Sequence, residues 1–259
     1  MSSEKPLFSI LTCSYNQKQF QGVWLKSVLR QDYRPLEVVF VDDCSDTNDA
    51  KALEKHRKLF EDAGIDLTIH RNQDSLYCAS SYLEALRLAK GDYFGVVDAD
   101  DALTEGSVSA VMKCYLKHPD VGFIYTQFDW CNSEMGNCRR GFCRQPARGR
   151  NLLTGEKSPQ SRHCYSHWRT FRRLPDIESI FKPRLRCSVD KYMGYRLEEL
   201  APGVFLNRVC YKYRNGVSSG VTQNEKSIET WKSVRREVMR RRKANQTKVY
   251  PIRTIQTKR

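Results

Sequence analysis

Alternation is the feature that most limits what this chain can become. Five short apolar runs, "LFSILTCSY", "LEVVFVDD", "DLTIHRN", "YFGVVDADD" and "VGFIYTQFDW", are separated by segments whose apolar residues recur at helical spacing. Phe20, Val23, Trp24 and Val28 mark the first helix. Leu53, Phe60 and Ala63 mark one along 49–64, closed by Gly64. Leu83 and Leu86 mark a third helix, and Val108, Val111, Met112 and Tyr115 a fourth. Short runs of this kind suit buried strands, and the β-α-β-α order lays helices over a mostly parallel sheet. The expected class is α/β.

Four of the runs end in polar clusters: Ser14-Tyr15-Asn16, Asp42-Asp43, Arg71-Asn72 and Asp98-Ala99-Asp100. In an open parallel sheet ligands bind beyond the carboxyl ends of the strands, so these clusters predict one pocket. The last is the most demanding, because Asp98, Asp100 and Asp101 crowd like charges at the end of an apolar strand. Alternate residues of an extended chain share a side, so Asp98 and Asp100 can face one point. Two carboxylates suit a hard cation, Mn²⁺ or Mg²⁺, whose shell is completed by water and substrate phosphates. The bland alternative is an Asp-rich turn that caps the next helix, a role open to Asp101. Neither G-x-G-x-x-G nor G-x-x-x-x-G-K-[ST] occurs, so a glycine loop is not what would hold phosphates here.

The net charge of +14 invites a nucleic-acid reading until it is located. Residues 232–259 carry +10 and residues 139–173 carry +9, leaving the rest mildly acidic. A duplex-gripping protein would spread its charge over the binding face, so no nucleic-acid partner is expected. The ten cysteines are scattered without paired C-x-x-C spacing, which speaks for reduced, mostly buried thiols rather than disulfides or structural zinc. With no export signal and no membrane-length apolar run, the expectation is a soluble cytoplasmic protein.

The stretches "FSILTCSYNQKQF", "SVLRQDYRPLEVVFVDDCSD" and "AKGDYFGVVDADDALTEGSV", in that order and spacing, resemble the nucleotide-sugar half of family 2 glycosyltransferases with the GT-A fold. The resemblance covers roughly the first 130 residues. It implies metal-dependent, inverting transfer from a nucleoside diphosphate donor. By that resemblance Tyr15 lies against the base, Asp42 or Asp43 bonds base or ribose, and Ser14, Asn72 and Ala99 line the donor site. Asp98 meets ribose or metal, and Asp100 the metal. Where many members have Asn in the helix before the D-x-D strand, this chain has Ser81.

Inversion needs a base for the acceptor hydroxyl, and "CSVDKYMGYRLEEL" supplies Asp190 in register with the family's base. Val189 and Tyr192 stand where the family usually has acids. The segment "YSHWRTFRR" with "FKPRLRCSVDKYMGYRLEE" and "GVFLNRVCYKYR" resembles bacterial chondroitin- and hyaluronan-type polymerase domains. That likeness implies a UDP-sugar donor and a saccharide, glycan or lipid-linked acceptor. His167 is a candidate for the diphosphate or metal shell, with loop packing as its bland alternative. Arg169, Arg172 and Arg173 could neutralise the diphosphate or an anionic acceptor, and Trp130 and Trp168 could stack on sugar.

The expected organisation is a domain over 1–225, with a donor half 1–130 and an acceptor half 131–225, followed by a basic helix and tail over 226–259. In that helix Ile228, Trp231, Val234 and Val238 form an apolar stripe that either meets anionic membrane peripherally or docks on the domain, with fraying expected from 243 onward. Rival readings are a D-x-D phosphatase, a non-catalytic nucleotide-sugar binder and a nucleic-acid binder. The phosphatase needs the motif on the first strand, and here it closes the fourth.

Overall fold

The computed structural model describes residues 5–155, 168–216 and 225–256. The first half alternates as expected. β1 (Phe8–Ser14) leads to α1 (Gln21–Leu29), then β2 (Leu36–Asp42), the short helices α2 (Asp49–Glu54) and α3 (Arg57–Asp62), and β3 (Ile65–Arg71). α4 (Tyr77–Leu88), β4 (Tyr93–Val96), the two-residue β5 (Ala102–Leu103), α5 (Ser107–Lys117) and β6 (Phe123–Cys131) follow. The second half contributes β7 (Arg139–Arg140), α6 (Leu152–Gly155), β8 (Arg169–Arg172), α7 (Val189–Leu200), β9 (Gly203–Arg214), α8 (Glu225–Ala244) and β10 (Ile252–Ile255).

The main sheet runs in the order β10-β9-β6-β8-β4-β1-β2-β3. Of these eight described strands only β8 is reversed, lying antiparallel between β4 and β6. The mostly parallel expectation therefore holds with one inversion. β1 and β2 are buried along nearly their whole length, which is what apolar runs covered on both faces require. α4 packs on β1 and β2, and α5 against β9. Leu83 and Leu86 of α4 and Val108, Val111, Met112 and Tyr115 of α5 are all inward. In α1 the buried stripe is Trp24, Leu25 and Val28, and Val23 faces outward. The single helix expected over 49–64 breaks at Lys55-His56, yet Leu53 and Phe60 remain in the core. Gly64 ends it in the left-handed conformation (φ 62°) that a residue without Cβ adopts at no steric cost.

The C-terminal segment departs from its expectation. It does not fray from 243: β10 pairs in parallel with β9 and forms the sheet's edge. The apolar stripe of α8 is spent on the domain itself, with Trp231, Val234 and Val238 buried. Two acids at the end of α7 hold the basic helix in place. Arg242 donates to Glu198 at 2.7 Å and to Glu199 at 2.7 Å, and Arg241 donates to both oxygens of Glu199 at 2.9 Å. Part of the tail charge is thus internal pairing. Among the described residues no helix is long and apolar enough to cross a membrane.

The thiol expectation also needs correction. Cys131 and Cys138 form a disulfide, because the β6–β7 hairpin sets them opposite one another one residue beyond the Trp130–Arg139 pair. Cys114, Cys143 and Cys210 are free and buried as expected, but Cys78 is exposed. Cys164 and His167 lie outside the described residues.

Candidate functional site

Register brings the polar strand ends together. Ser14 of β1 pairs with Asp42 of β2, and Asp42 with Arg71 of β3, while Leu11 pairs with Val96 just before the acidic turn of β4. The clusters share one sheet edge, as the alternation implies.

Their side chains do not all face a ligand. Asp42 is fully buried and accepts from Ser45 N (2.8 Å), Ala50 N (2.9 Å) and Arg71 Nη1 (2.7 Å). Asp43 accepts from five donors at 2.8–3.0 Å: Asn72 Nδ2, Ser75 Oγ, Leu76 N, Tyr77 N and Ser81 Oγ. Burial pushes its carboxyl up, but those hydrogen bonds outweigh burial and hold it below the ordinary value. Both carboxylates fasten loops to the strand tips instead of standing open to a base or ribose. Asn72 bridges Asp43 and Ser81, which shows what Ser81 does here. Ser14 donates to Asp49 at 2.5 Å, and Ala99 is buried. Of the expected base contacts, Tyr15 alone projects outward, 53% exposed.

The acidic turn after β4 is different. Asp98 and Asp100 are half-buried, whereas Asp101 is buried. Tyr82, whose ring stacks on Phe181 within the core, donates to Asp98 Oδ1 at 2.5 Å, and Asp98 N donates to the Tyr211 hydroxyl at 3.1 Å. Asp101 accepts from Arg214 N at 2.7 Å and caps no helix, since α5 begins after Gly106. Arg214 Nε donates to the Asp100 carbonyl at 2.6 Å, and its buried Nη2 has no hydrogen-bond partner among the described residues.

Asp190, in the first turn of α7, reaches the same place. Burial raises the Asp98 carboxyl, Tyr82 and Arg169 oppose that rise, and the charge of Asp190 adds to it. Burial and the charges of Asp100 and Asp98 raise Asp101 still further. The reversed β8 begins with Arg169 at this edge, where its buried guanidinium donates to the Asp190 carbonyl at 3.2 Å. The same reversal carries Arg172 opposite Tyr93, at the far end of β4. Arg173 donates to the carbonyls of Ala89 and Gly91. Neither Arg172 nor Arg173 can serve a ligand at the acidic turn. Trp168 is wholly buried and cannot stack on sugar, whereas Trp130 is half-buried beside Tyr213.

Several site residues escaped the sequence reading: Tyr82, Tyr211, Tyr213, and the structural part played by Arg214. Tyr82 had a signal, since a tyrosine on the inward face of a helix needs a partner for its hydroxyl. The others depend on β9 running past its bulge against β6 to lie beside the acidic turn, a long-range pairing with no local mark.

A divalent ion fits this donor set in part. Asp98 and Asp100 are hard oxygen ligands in a crowd of acids with few cations, but among the described residues no three ligating side chains converge. Water and phosphate oxygens would have to complete the shell.

Residues 9–179 match the model of "Glycosyl transferase family 2". The putative colanic acid biosynthesis glycosyl transferase WcaA of Escherichia coli (strain K12) is 32% identical over 160 residues, 62% of this chain and 52% of WcaA. The chondroitin synthase of Escherichia coli is 27% identical over 228 residues, 88% of this chain and 31% of the synthase. The chain thus spans about half or less of these relatives. Among solved structures, S. aureus TarS 1–349 in complex with UDP-GlcNAc superposes with a TM-score of 0.63 at 17% identity, covering 88% of this chain and 65% of TarS. The mannosyltransferase PcManGT from Pyrobaculum calidifontis, in complex with GDP-Man and Mn²⁺, superposes with a TM-score of 0.60 at 18% identity, covering 96% of this chain and 67% of that one. The fold is that of the GT-A glycosyltransferases. With two thirds of its length matching the family and its acids gathered where an α/β sheet binds ligands, the chain belongs to glycosyltransferase family 2.

Proposed function

We propose that the cleft at the strand tips transfers a sugar from a nucleoside diphosphate donor, a UDP-sugar, to the hydroxyl of a saccharide or lipid-linked acceptor, with inversion. One observation carries this reading: the buried guanidinium of Arg169, at the acidic turn, donates to the Asp190 carbonyl at 3.2 Å, so Asp190 and Asp98, distant in sequence, both lie near this one cation, whose charge opposes the rise of the Asp98 carboxyl. That arrangement supports a donor side and a base side of one cleft. The UDP-GlcNAc held by the TarS neighbour favours a uridine donor.

In this reading Tyr15, exposed at the tip of β1, stacks against the base. Asp42 and Asp43 act by fixing the loops after β2 and β3 around it. Asp98, oriented by Tyr82 and by its backbone bond to Tyr211, and Asp100, whose carbonyl Arg214 anchors, would hold Mn²⁺ or Mg²⁺. When bound, such an ion neutralises the donor diphosphate as a Lewis acid. Asp190 takes the proton of the acceptor hydroxyl as its oxygen attacks the anomeric carbon, and the nucleoside diphosphate leaves from the opposite face. Arg169 keeps the first turn of α7 in place and offsets the charge beside Asp98.

Asp190→Asn tests the assignment. It removes the base while preserving size and most hydrogen bonding, so UDP-sugar binding should persist while transfer falls by about 10²–10⁴. A variant that still turns over at the wild-type rate would place the base elsewhere.

A further inference from the structure

Two strained segments meet at the rim of the cleft. On the donor side, Tyr77 opens α4 with φ 65°, a left-handed conformation that a bulky residue keeps only where its surroundings impose it. Asp43 imposes it here, accepting from Leu76 N at 2.8 Å and from Tyr77 N at 3.0 Å. The next turn of α4 stays at the cleft, with Ser81 donating to Asp43 and Tyr82 to Asp98. On the other side, residues 181–188 lead into α7, whose first turn carries Asp190. Arg184 (φ 60°) and Ser188 (φ 59°) in that stretch are left-handed too.

Two contacts latch the segments together. Arg184 N donates to Ser80 Oγ at 2.9 Å. Arg186 lies over the Tyr77 ring, its guanidinium carbon 4.0 Å from the centroid, and donates to the Tyr77 hydroxyl. The Arg186 side chain is nevertheless exposed, and no acid among the described residues pairs with it. A guanidinium seated on an aromatic ring is held in place, and the bond to Tyr77 occupies only part of its fork of donors. The remaining N–H groups suit phosphate oxygens.

The position fits such a ligand. Arg186 stands four residues before Asp190, a length of chain that spans at most about 14 Å, while Tyr77 fastens it to the tip of β2 through Asp43. In the proposed reaction the donor's base lies at the tips of β1 and β2 and its anomeric carbon faces Asp190. Its diphosphate therefore crosses the gap that Arg186 spans. Other cations at this edge are engaged: Arg71 pairs with Asp42, and Arg169 is buried against Asp190.

We propose that Arg186, seated on Tyr77, grips the diphosphate of the nucleotide-sugar donor and offsets its charge as the nucleoside diphosphate departs. This role rests on the transferase reading above. Tyr77 is a positioning residue that acts through Arg186.

Calorimetric titration of UDP into the full chain with Mn²⁺ present tests the assignment. Arg186→Gln should keep the wild-type Tm, because the side chain is exposed. It should weaken UDP about tenfold at about 0.05 M salt, the worth of one charge-assisted hydrogen bond, and by clearly less at about 0.5 M, where screening is strong. Arg186→Lys keeps the charge without the planar fork and should restore part of the affinity. Tyr77→Leu removes the seat and should weaken UDP by a similar factor, with little further loss when combined with Arg186→Gln. Wild-type affinity in Arg186→Gln, or a loss equally large at both salt concentrations, overturns the role of Arg186 and leaves the transferase reading standing. Losses that add in the double variant overturn the seating on Tyr77. Failure of wild-type protein to bind UDP would overturn the transferase reading, and the role of Arg186 with it.

Discussion

Replacing Arg242 by Ala probes how firmly the basic C-terminal helix belongs to the catalytic domain. The guanidinium is nearly buried and makes three hydrogen bonds at 2.7 Å, to Glu198, Glu199 and the Tyr195 carbonyl. Its removal leaves Glu199 with Arg196 and Arg241, but among the described residues leaves Glu198, fully buried, with only the N–H groups of Leu152 and Leu153. Removing one partner of a buried pair costs about 3–5 kcal/mol, and the surviving partners place this case near 3. For a chain of this size that corresponds to a fall in Tm of about 6–12 °C. The loss should depend on pH. Burial pushes the Glu198 carboxyl up to about 7, against the pull of Arg242 and the two N–H groups. Because the folded value is raised, the folded state holds the proton longer, so this group's contribution to stability falls as pH rises from its unfolded value through about 7. Without Arg242 the carboxyl rises further, and the variant's deficit should be larger at pH 8 than at pH 6. Scanning calorimetry at the two pH values measures both effects. A Tm within about 2 °C of wild type at pH 8 would refute the argument and make the helix an appendage.

Two further perturbations test the frame around the site. Asp43→Ala strips the common acceptor from five donors and should cost about 3 kcal/mol or more in urea unfolding. Since the Asp43 carboxyl is held low, the stability its charge supplies is present above its unfolded value and fades as pH falls through its folded value, so the gap between variant and wild type should narrow as the solution is made strongly acidic. Gly203→Val places a side chain where a Cβ would already stand 2.2 Å from the Phe123 ring, so a loss of about 1–3 kcal/mol is expected in the same assay.

The donor half was legible because its information is local. Apolar runs of strand length, helical spacing between them and polar residues at the strand ends predict the alternation, its shared edge and the pocket. What the strand ends do was less legible. Asp42 and Asp43 read as open binding groups, yet each is enclosed by donors from loops that close only in three dimensions. The second half depends on pairings across long stretches of chain. Reversal of β8 separates Arg169 from Arg172 and Arg173, which sequence proximity makes look like one cluster. β10 is four residues long and gains its stability from β9, so no periodicity announces it. The Cys131–Cys138 bond follows from a hairpin with only two paired positions, too short to leave an alternating pattern.

In the proposed reaction Asp98 and Asp100 accept a donor's diphosphate through a shared divalent ion. Calorimetric titration of UDP into wild-type protein and Asp100→Ala, each with Mn²⁺ and with EDTA, tests it most directly. Binding to wild type should weaken at least about tenfold on chelation, and Asp100→Ala should bind weakly and equally in both conditions. Tight UDP binding that ignores both chelation and the loss of Asp100 would contradict it.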